Sequence, residues 1–194
     1  MKKLLYIAAL AMVLFACAQS HHDRAKQLIE ADMQKTFGGS AQYEAVSTTV
    51  DSAFAPFDDP AVLEKVAQVI SMSNAVDSLT QVAARAQEAL DNGDDDAQAQ
   101  IDAALAQIDE IKKNGSEVLS SVIDIMFEGR KFAGFKATHS FSMKQGGAAS
   151  NKREVLIVDS TLTRVLYRCD ENRYKQLQDT LASLNAQLEA NDQE

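Results

Sequence analysis

The chain has 194 residues, 28 of them Asp or Glu and 19 Lys or Arg, for a formal net charge of −9. That acidic balance argues against binding nucleic acid or anionic lipid through bulk attraction. With no tryptophan and two cysteines, the core must be largely aliphatic, and a multi-disulfide framework is excluded. The charge is also segregated. Residues 58–128 hold fifteen acids against four bases, whereas residues 130–173 hold nine bases against four acids.

Lys2 and Lys3 precede an uncharged run, Leu4 to Phe15. A bilayer crossing takes about twenty apolar residues, so the run reads as the apolar core of a secretory signal. Leu14-Phe15-Ala16-Cys17 resembles the lipobox of bacterial lipoproteins, in which the cysteine is acylated and becomes the mature N-terminus. Phe15 stands where that motif usually has a small or β-branched residue. Two rival readings remain: ordinary cleavage after Ala18, which would discard Cys17, and an uncleaved anchor. Burial of acyl chains, at about 0.8 kcal/mol per methylene, anchors a protein without a spanning helix. In Gram-negative sorting an Asp after the cysteine favours the inner membrane. Ala18 is not Asp, so the resemblance implies the outer membrane of the cell envelope. Residues 1–16 are thus expected to be a signal peptide and 17–23 a lipid-anchored tether. Residues 24–194 are expected to form a single domain.

Ala25, Leu28, Ile29, Met33 and Phe37 recur at helical spacing, and Gly38-Gly39-Ser40 ends that helix. Tyr43 to Phe54 reads as a strand, with Val46, Thr48, Val50, Ser52 and Phe54 on one face. Asp59-Pro60 supplies an N-cap and a first-turn proline. Beyond it Val62, Val69, Val76, Ala83 and Leu90 recur every seven residues, a coiled-coil type of seam. Asn92-Gly93 breaks the pattern, and Asp94-Asp95-Asp96 place negative charge at the next helix start. A second seam runs from Ile101 to Ile125. Residues at about 60–128 are therefore expected to form an inserted antiparallel hairpin with arms of about thirty residues, roughly 45 Å long. Pairing about the turn sets Gly115 near Met72. Asn114-Gly115 is the alternative, a break in the second arm.

Phe135, Ala137, His139, Phe141 and Met143 alternate with polar residues, giving a strand with one buried face. "KQGGAASNK" reads as a loop. Val155 to Val158 is apolar on both faces and predicts a central strand, and Arg164 to Cys169 a further one. Tyr174, Leu177, Leu181, Leu184 and Leu188 mark a C-terminal amphipathic helix. The fold class expected is α+β. It comprises about four mainly antiparallel strands, flanking N- and C-terminal helices and the inserted hairpin.

"QYEAVSTTVDSAF", "DDPAVL" and "GFKATHSFSMKQ" followed by "VLIVD" are similar to small bacterial envelope proteins that have no assigned activity. In those a helical insertion separates a "SYEPV"-like strand from a "GWxVTHxFRxK"-like strand. Here Ala45 replaces the proline, Phe135 the tryptophan and Ser142 the arginine. The resemblance implies the same architecture and carries no catalytic residue.

No catalytic, cofactor-binding or metal-ligating set stands out. His21-His22-Asp23 reads as polar linker, because a tether lacks the outer partners that orient metal ligands. His139 lies on an apolar face, as a hydrogen-bonded core histidine does. Its pairing with Cys169 as a nucleophile would need the fold to bring the two together, and Cys169 itself is expected to be buried. "DNGDDD" fails the calcium-loop pattern, since the alternating positions around Gly93 hold Glu88, Leu90, Asn92 and Ala99. No nucleophile elbow, phosphate loop, CxxC or HExxH is present. The expected role is a non-enzymatic one, in which the hairpin docks an envelope protein or a second copy. The alternative is an anionic ligand or glycan on a basic sheet face. Lys136, Lys144, Arg164 and Arg168, with Lys152 and Arg153, would converge there.

Overall fold

A computed structural model describes residues 20–37, 42–145 and 148–191. Cys17 with the whole leader, and the break at Gly38-Gly39-Ser40, lie outside the described residues. The fold is α+β, in the order α1 (His21–Phe37), β1 (Gln42–Ala55), α2 (Pro60–Asp91), α3 (Ala97–Phe127), β2 (Lys131–Gln145), β3 (Ala148–Asp159), β4 (Val165–Asp170) and α4 (Glu171–Asn191). One antiparallel sheet has the strand order β1-β2-β3-β4. Among the described residues, no helix is long and apolar enough to cross a membrane.

The chain divides into two compact units, Met1–Ala53 with Phe132–Tyr174, and Phe54–Lys131 with Lys175–Glu194. In the first, α1 lies on the sheet. Ala25, Ile29 and Met33, four residues apart along one helix face, are completely buried with Phe135, Ala137, Phe141, Leu156, Val158 and Leu162. Cross-strand register explains the selection. Phe135 pairs with Val158 and Ala137 with Leu156, and paired residues share a face of the pleat. All four residues of Val155 to Val158 are buried, as a run without alternation requires in an interior strand.

Helix α1 starts three residues earlier than the expected tether allowed. Asp23 N–H donates to Ser20 Oγ at 3.1 Å, and that hydroxyl donates to the Asp23 carboxylate at 2.8 Å, so Ser20 caps the helix. His21 to Asp23 form its first turn, and both histidine rings stand edge-on to Phe135 at 5.8 and 6.1 Å. "KQGGAASNK" also differs from the expected loop. Pairing runs out to Gln145↔Ala148, because a backbone ladder does not need apolar side chains. Gly146-Gly147, between the two strands, lies outside the described residues. In β1 the expected face is only partly kept, since Val46 is 66% exposed while Ala53 is buried.

The β3–β4 turn is held by one carboxylate. Asp159 accepts from the Thr163 N–H (2.7 Å), the Arg164 N–H (2.9 Å), the Thr163 hydroxyl (2.7 Å) and the Thr161 hydroxyl. Desolvation pushes its pKa up, but these donors together hold it well below the usual carboxylate range. Its stabilisation is therefore present above the unfolded-state value of about 3.9 and lost as pH falls toward the folded one. Asp159→Ala is expected to cost about 1–2 kcal/mol at pH 7, discounted for exposure. By denaturant titration the gap from the parent should narrow at pH 3. An equal gap at both pH values would contradict this account of the turn.

In the second unit, α2 and α3 form the expected antiparallel hairpin. Asp59 caps α2 through its carboxylate, which accepts from Ala61 N–H (2.8 Å) and Val62 N–H (3.4 Å), with Pro60 in the first turn. Asn92 ends it, and Gly93 follows at φ +92°, a left-handed conformation that glycine adopts without penalty. Helix α3 runs unbroken through Asn114-Gly115. A Cβ on Gly115 would sit 3.7 Å from Met72 Sδ, so the expected pairing is present and the alternative, a break at Asn114-Gly115, is not. Val62, Leu63, Val66, Val122, Leu177 and Leu181 are the unit's most buried large aliphatics. Gln178 Nε2 donates to the Phe57 carbonyl at 2.7 Å, tying α4 to the turn before α2.

Candidate functional site

Two surfaces were candidates from sequence, the sheet's basic residues and the hairpin. On the sheet, the register separates the bases. Lys136 pairs with Ile157, on the face opposite the α1 cluster, and its Nζ donates to the Tyr174 hydroxyl at 3.2 Å. Lys144 shares that face but lies eight residues along β2, roughly 26 Å away. Arg168 pairs with Leu156, a member of the α1-covered core. Its guanidinium lies over the Phe37 ring (5.6 Å) and meets Asp32 (3.5 Å), Thr36 (3.3 Å) and Glu154 (3.7 Å). Arg164 precedes β4 and is exposed. Arg153 pairs with Glu171 at 3.1 Å. The four bases expected to form an anion patch, Lys136, Lys144, Arg164 and Arg168, are therefore not brought together. The physical reason is the two-residue period of the strands combined with pairing to the protein's own carboxylates.

A cleft of about 430 Å3 lies where β3 meets the start of α4, lined by Asn151, Lys152, Arg153, Glu154, Asp170, Glu171 and Asn172. Its three acids outnumber its two bases, so it offers no net attraction to an anion. Glu154, largely buried, has its pKa raised by desolvation against the pull of Arg168 and Lys152.

His139 is completely buried between Tyr43 and Phe141, its ring stacked on both at 6.0 and 5.5 Å. Its Nε2 lies 2.7 Å from the Tyr43 hydroxyl and its Nδ1 2.8 Å from the Thr48 hydroxyl. A neutral imidazole donates through one nitrogen and accepts through the other, so both hydroxyls are satisfied in either tautomer. Desolvation pushes the His139 pKa down, against an opposing pull from Glu30. The arrangement is that of a neutral, structural core histidine.

Cys169 pairs with Val155, while His139 pairs with Glu154. Adjacent residues of β3 point to opposite faces, so the conceivable Cys169–His139 nucleophile pair is not assembled. Cys169 is half-buried rather than buried, and desolvation pushes its thiol up to about 11, which leaves it protonated at neutral pH. Sequence reasoning missed Thr48, Tyr43 and Glu154 as partners of this region. Only the pairing of distant strands joins them, and no local pattern announces it. Among the described residues, no group of three or more His, Cys, Asp or Glu is placed to hold a metal ion.

The hairpin presents a different surface. Two helices cannot enclose their own seam, and Val69, Met72, Val76, Leu79, Ala83 and Leu90 all remain partly accessible. Val82 is 41% and Leu105 50% exposed. Counting equal steps from the Met72–Gly115 contact sets Val82 and Leu105 at one level. The helical period turns them to opposite faces of the pair. Comparison with protein-family models, curated proteins and solved structures finds no match to this chain.

Proposed function

We propose that this chain is a lipid-anchored lipoprotein of the bacterial cell envelope with a non-enzymatic role, and that its hairpin docks another envelope component. The observation that carries the docking role is the incompletely covered hairpin. Its arms are 32 and 31 residues long, yet Val69, Val76, Ala83, Leu90 and Ile101 of their seam stay partly accessible and Leu105 is 50% exposed. A helix laid along such a seam completes the burial that two helices alone leave unfinished. Support for the anchor comes from Leu14-Phe15-Ala16-Cys17. The separation of Lys136 from Arg168 across the sheet counts against the anionic-ligand reading.

The anchor is tested by intact mass and fractionation. Protein extracted from membranes is expected to begin at Cys17 and to be heavier than its polypeptide by diacylglyceryl and fatty acyl groups. Cys17→Ser should release it into the soluble envelope fraction or leave it as unprocessed precursor. A mature chain that begins at Gln19 without lipid would refute the anchor.

A further inference from the structure

One end of the first unit is tied closely to the anchor residue. Ser20, which caps α1, stands three residues after Cys17, a span of roughly 11 Å at full extension. With Cys17 acylated, as proposed above, the start of α1 is held at the bilayer surface. Helix α1 runs along the sheet from Phe135, against which both histidine rings of its first turn stand, to Phe141, on which Phe37 stacks at 5.6 Å. The Phe135 end of the sheet is therefore the end toward the membrane. There Phe132 packs edge-on against Phe135 at 5.6 Å, yet it remains 51% exposed. Val46, 66% exposed in the same unit, lies toward the other end. The Thr49 hydroxyl donates to the Thr138 carbonyl, which sets Val46 roughly 30 Å along the antiparallel strands from Phe132. Among the described residues of this unit, charge at the Phe135 end is balanced, with Asp23, Asp51 and Asp159 against Arg24, Lys136 and Arg164. Neither sign of lipid is favoured, and the apolar ring makes the contact.

We infer that Phe132 is a membrane contact, its ring seated in the headgroup–acyl boundary of the bilayer that holds Cys17. An exposed aromatic ring gains by leaving water for that boundary. A short tether keeps the ring at high effective concentration beside it. The acyl groups supply the affinity, and Phe132 supplies a second point of attachment. The first unit then stands on the membrane in one orientation instead of swinging on its tether. This rests on the anchor reading above and adds the face that meets the bilayer.

The chain has no tryptophan, so Phe132→Trp carries a single fluorescent reporter. Val46→Trp, at the more exposed position, controls for the affinity of tryptophan itself for interfaces. Both are expressed as the full-length chain, extracted from membranes and reconstituted in phosphatidylcholine vesicles with or without bromine near the top of the acyl chains. Bromolipid is expected to quench Phe132→Trp at least twofold and to leave Val46→Trp nearly unchanged. On the unaltered chain, a phosphatidylcholine with a diazirine in its acyl chain should label the peptide that contains Phe132 and not the one that contains Val46. Equal quenching of the two variants, or equal labelling of the two peptides, would overturn the inference. So would a blue-shifted but unquenched Phe132→Trp, which would assign the ring to a protein partner or a second copy. Flotation separates the two levels of failure. Protein that floats with the vesicles but is neither quenched nor labelled at position 132 rejects the contact alone. Protein that carries no lipid and does not float rejects the anchor, and the inference with it.

Discussion

Gly134→Ala is expected to cost about 3 kcal/mol or more, one of the two largest losses from any single substitution considered. Gly134 sits in β2 at φ +142°, opposite Asp159. A Cβ there would lie 2.1 Å from the Val158 carbonyl oxygen and 3.1 Å from Asp159 C and Ser160 N. All three are backbone atoms at the end of β3 and in the turn after it, so no side-chain rotation relieves the clash. Overpacking costs about 1–3 kcal/mol and an unfavourable φ a similar amount. For a chain of this size that lowers Tm by roughly 10 °C. Gly129→Ala is the matched control, with φ +78° and nothing within 4 Å of the added carbon. It should show only the backbone penalty, about 1–2 kcal/mol. Thermal melts of the two variants that coincide would contradict the close approach of β2 to β3.

Phe141→Ala is the second large effect, at about 3–5 kcal/mol. Phe141 is among the largest fully buried side chains. Its ring meets those of Phe37 (5.6 Å), Tyr43 (5.6 Å) and His139 (5.5 Å), so truncation opens a cavity that no single neighbour can fill. The variant also has a signature that simple destabilisation lacks. Burial is what holds His139 neutral, so a hydrated cavity beside it should raise the histidine pKa toward about 6.5. Phe141→Leu keeps most of the volume and should cost less than about 1.5 kcal/mol, with little pKa change. Loss of stability in Phe141→Ala with an unmoved His139 titration would mean that the ring does not shield the histidine.

The helices were legible because apolar positions at three-four spacing and their end signals sit within a few residues of each other. Asp59-Pro60, Asn92-Gly93 and the heptad from Val62 to Leu90 placed the hairpin, and even its register, at Met72 against Gly115. Ser20 with Asp23 is the same kind of local signal, but it falls in the short polar segment after Cys17 that reads as tether. Strand identity was legible from the alternation at Phe135 to Met143. What could not be read was which strand faces lie under α1. Arg168 and Lys136 look alike in sequence, and they separate only because Arg168 pairs with Leu156 and Lys136 with Ile157. Arg168 then reaches Asp32 at 3.5 Å, a partner 136 residues away whose salience no local pattern reveals. The His139 network is hidden for the same reason, since Tyr43 and Thr48 come from a strand about 90 residues earlier.

Site-specific photo-cross-linking in native membranes tests the central proposal, that the chain acts through its hairpin. The probe replaces Leu105 on the accessible seam, with Glu88 on the outer polar face of α2 as the control position. The expected result is a discrete adduct from position 105. That adduct should be absent from position 88 and lost when Val76→Asp is added. Adducts of equal yield from both positions, or none from position 105 in protein confirmed to be membrane-bound, would contradict the account.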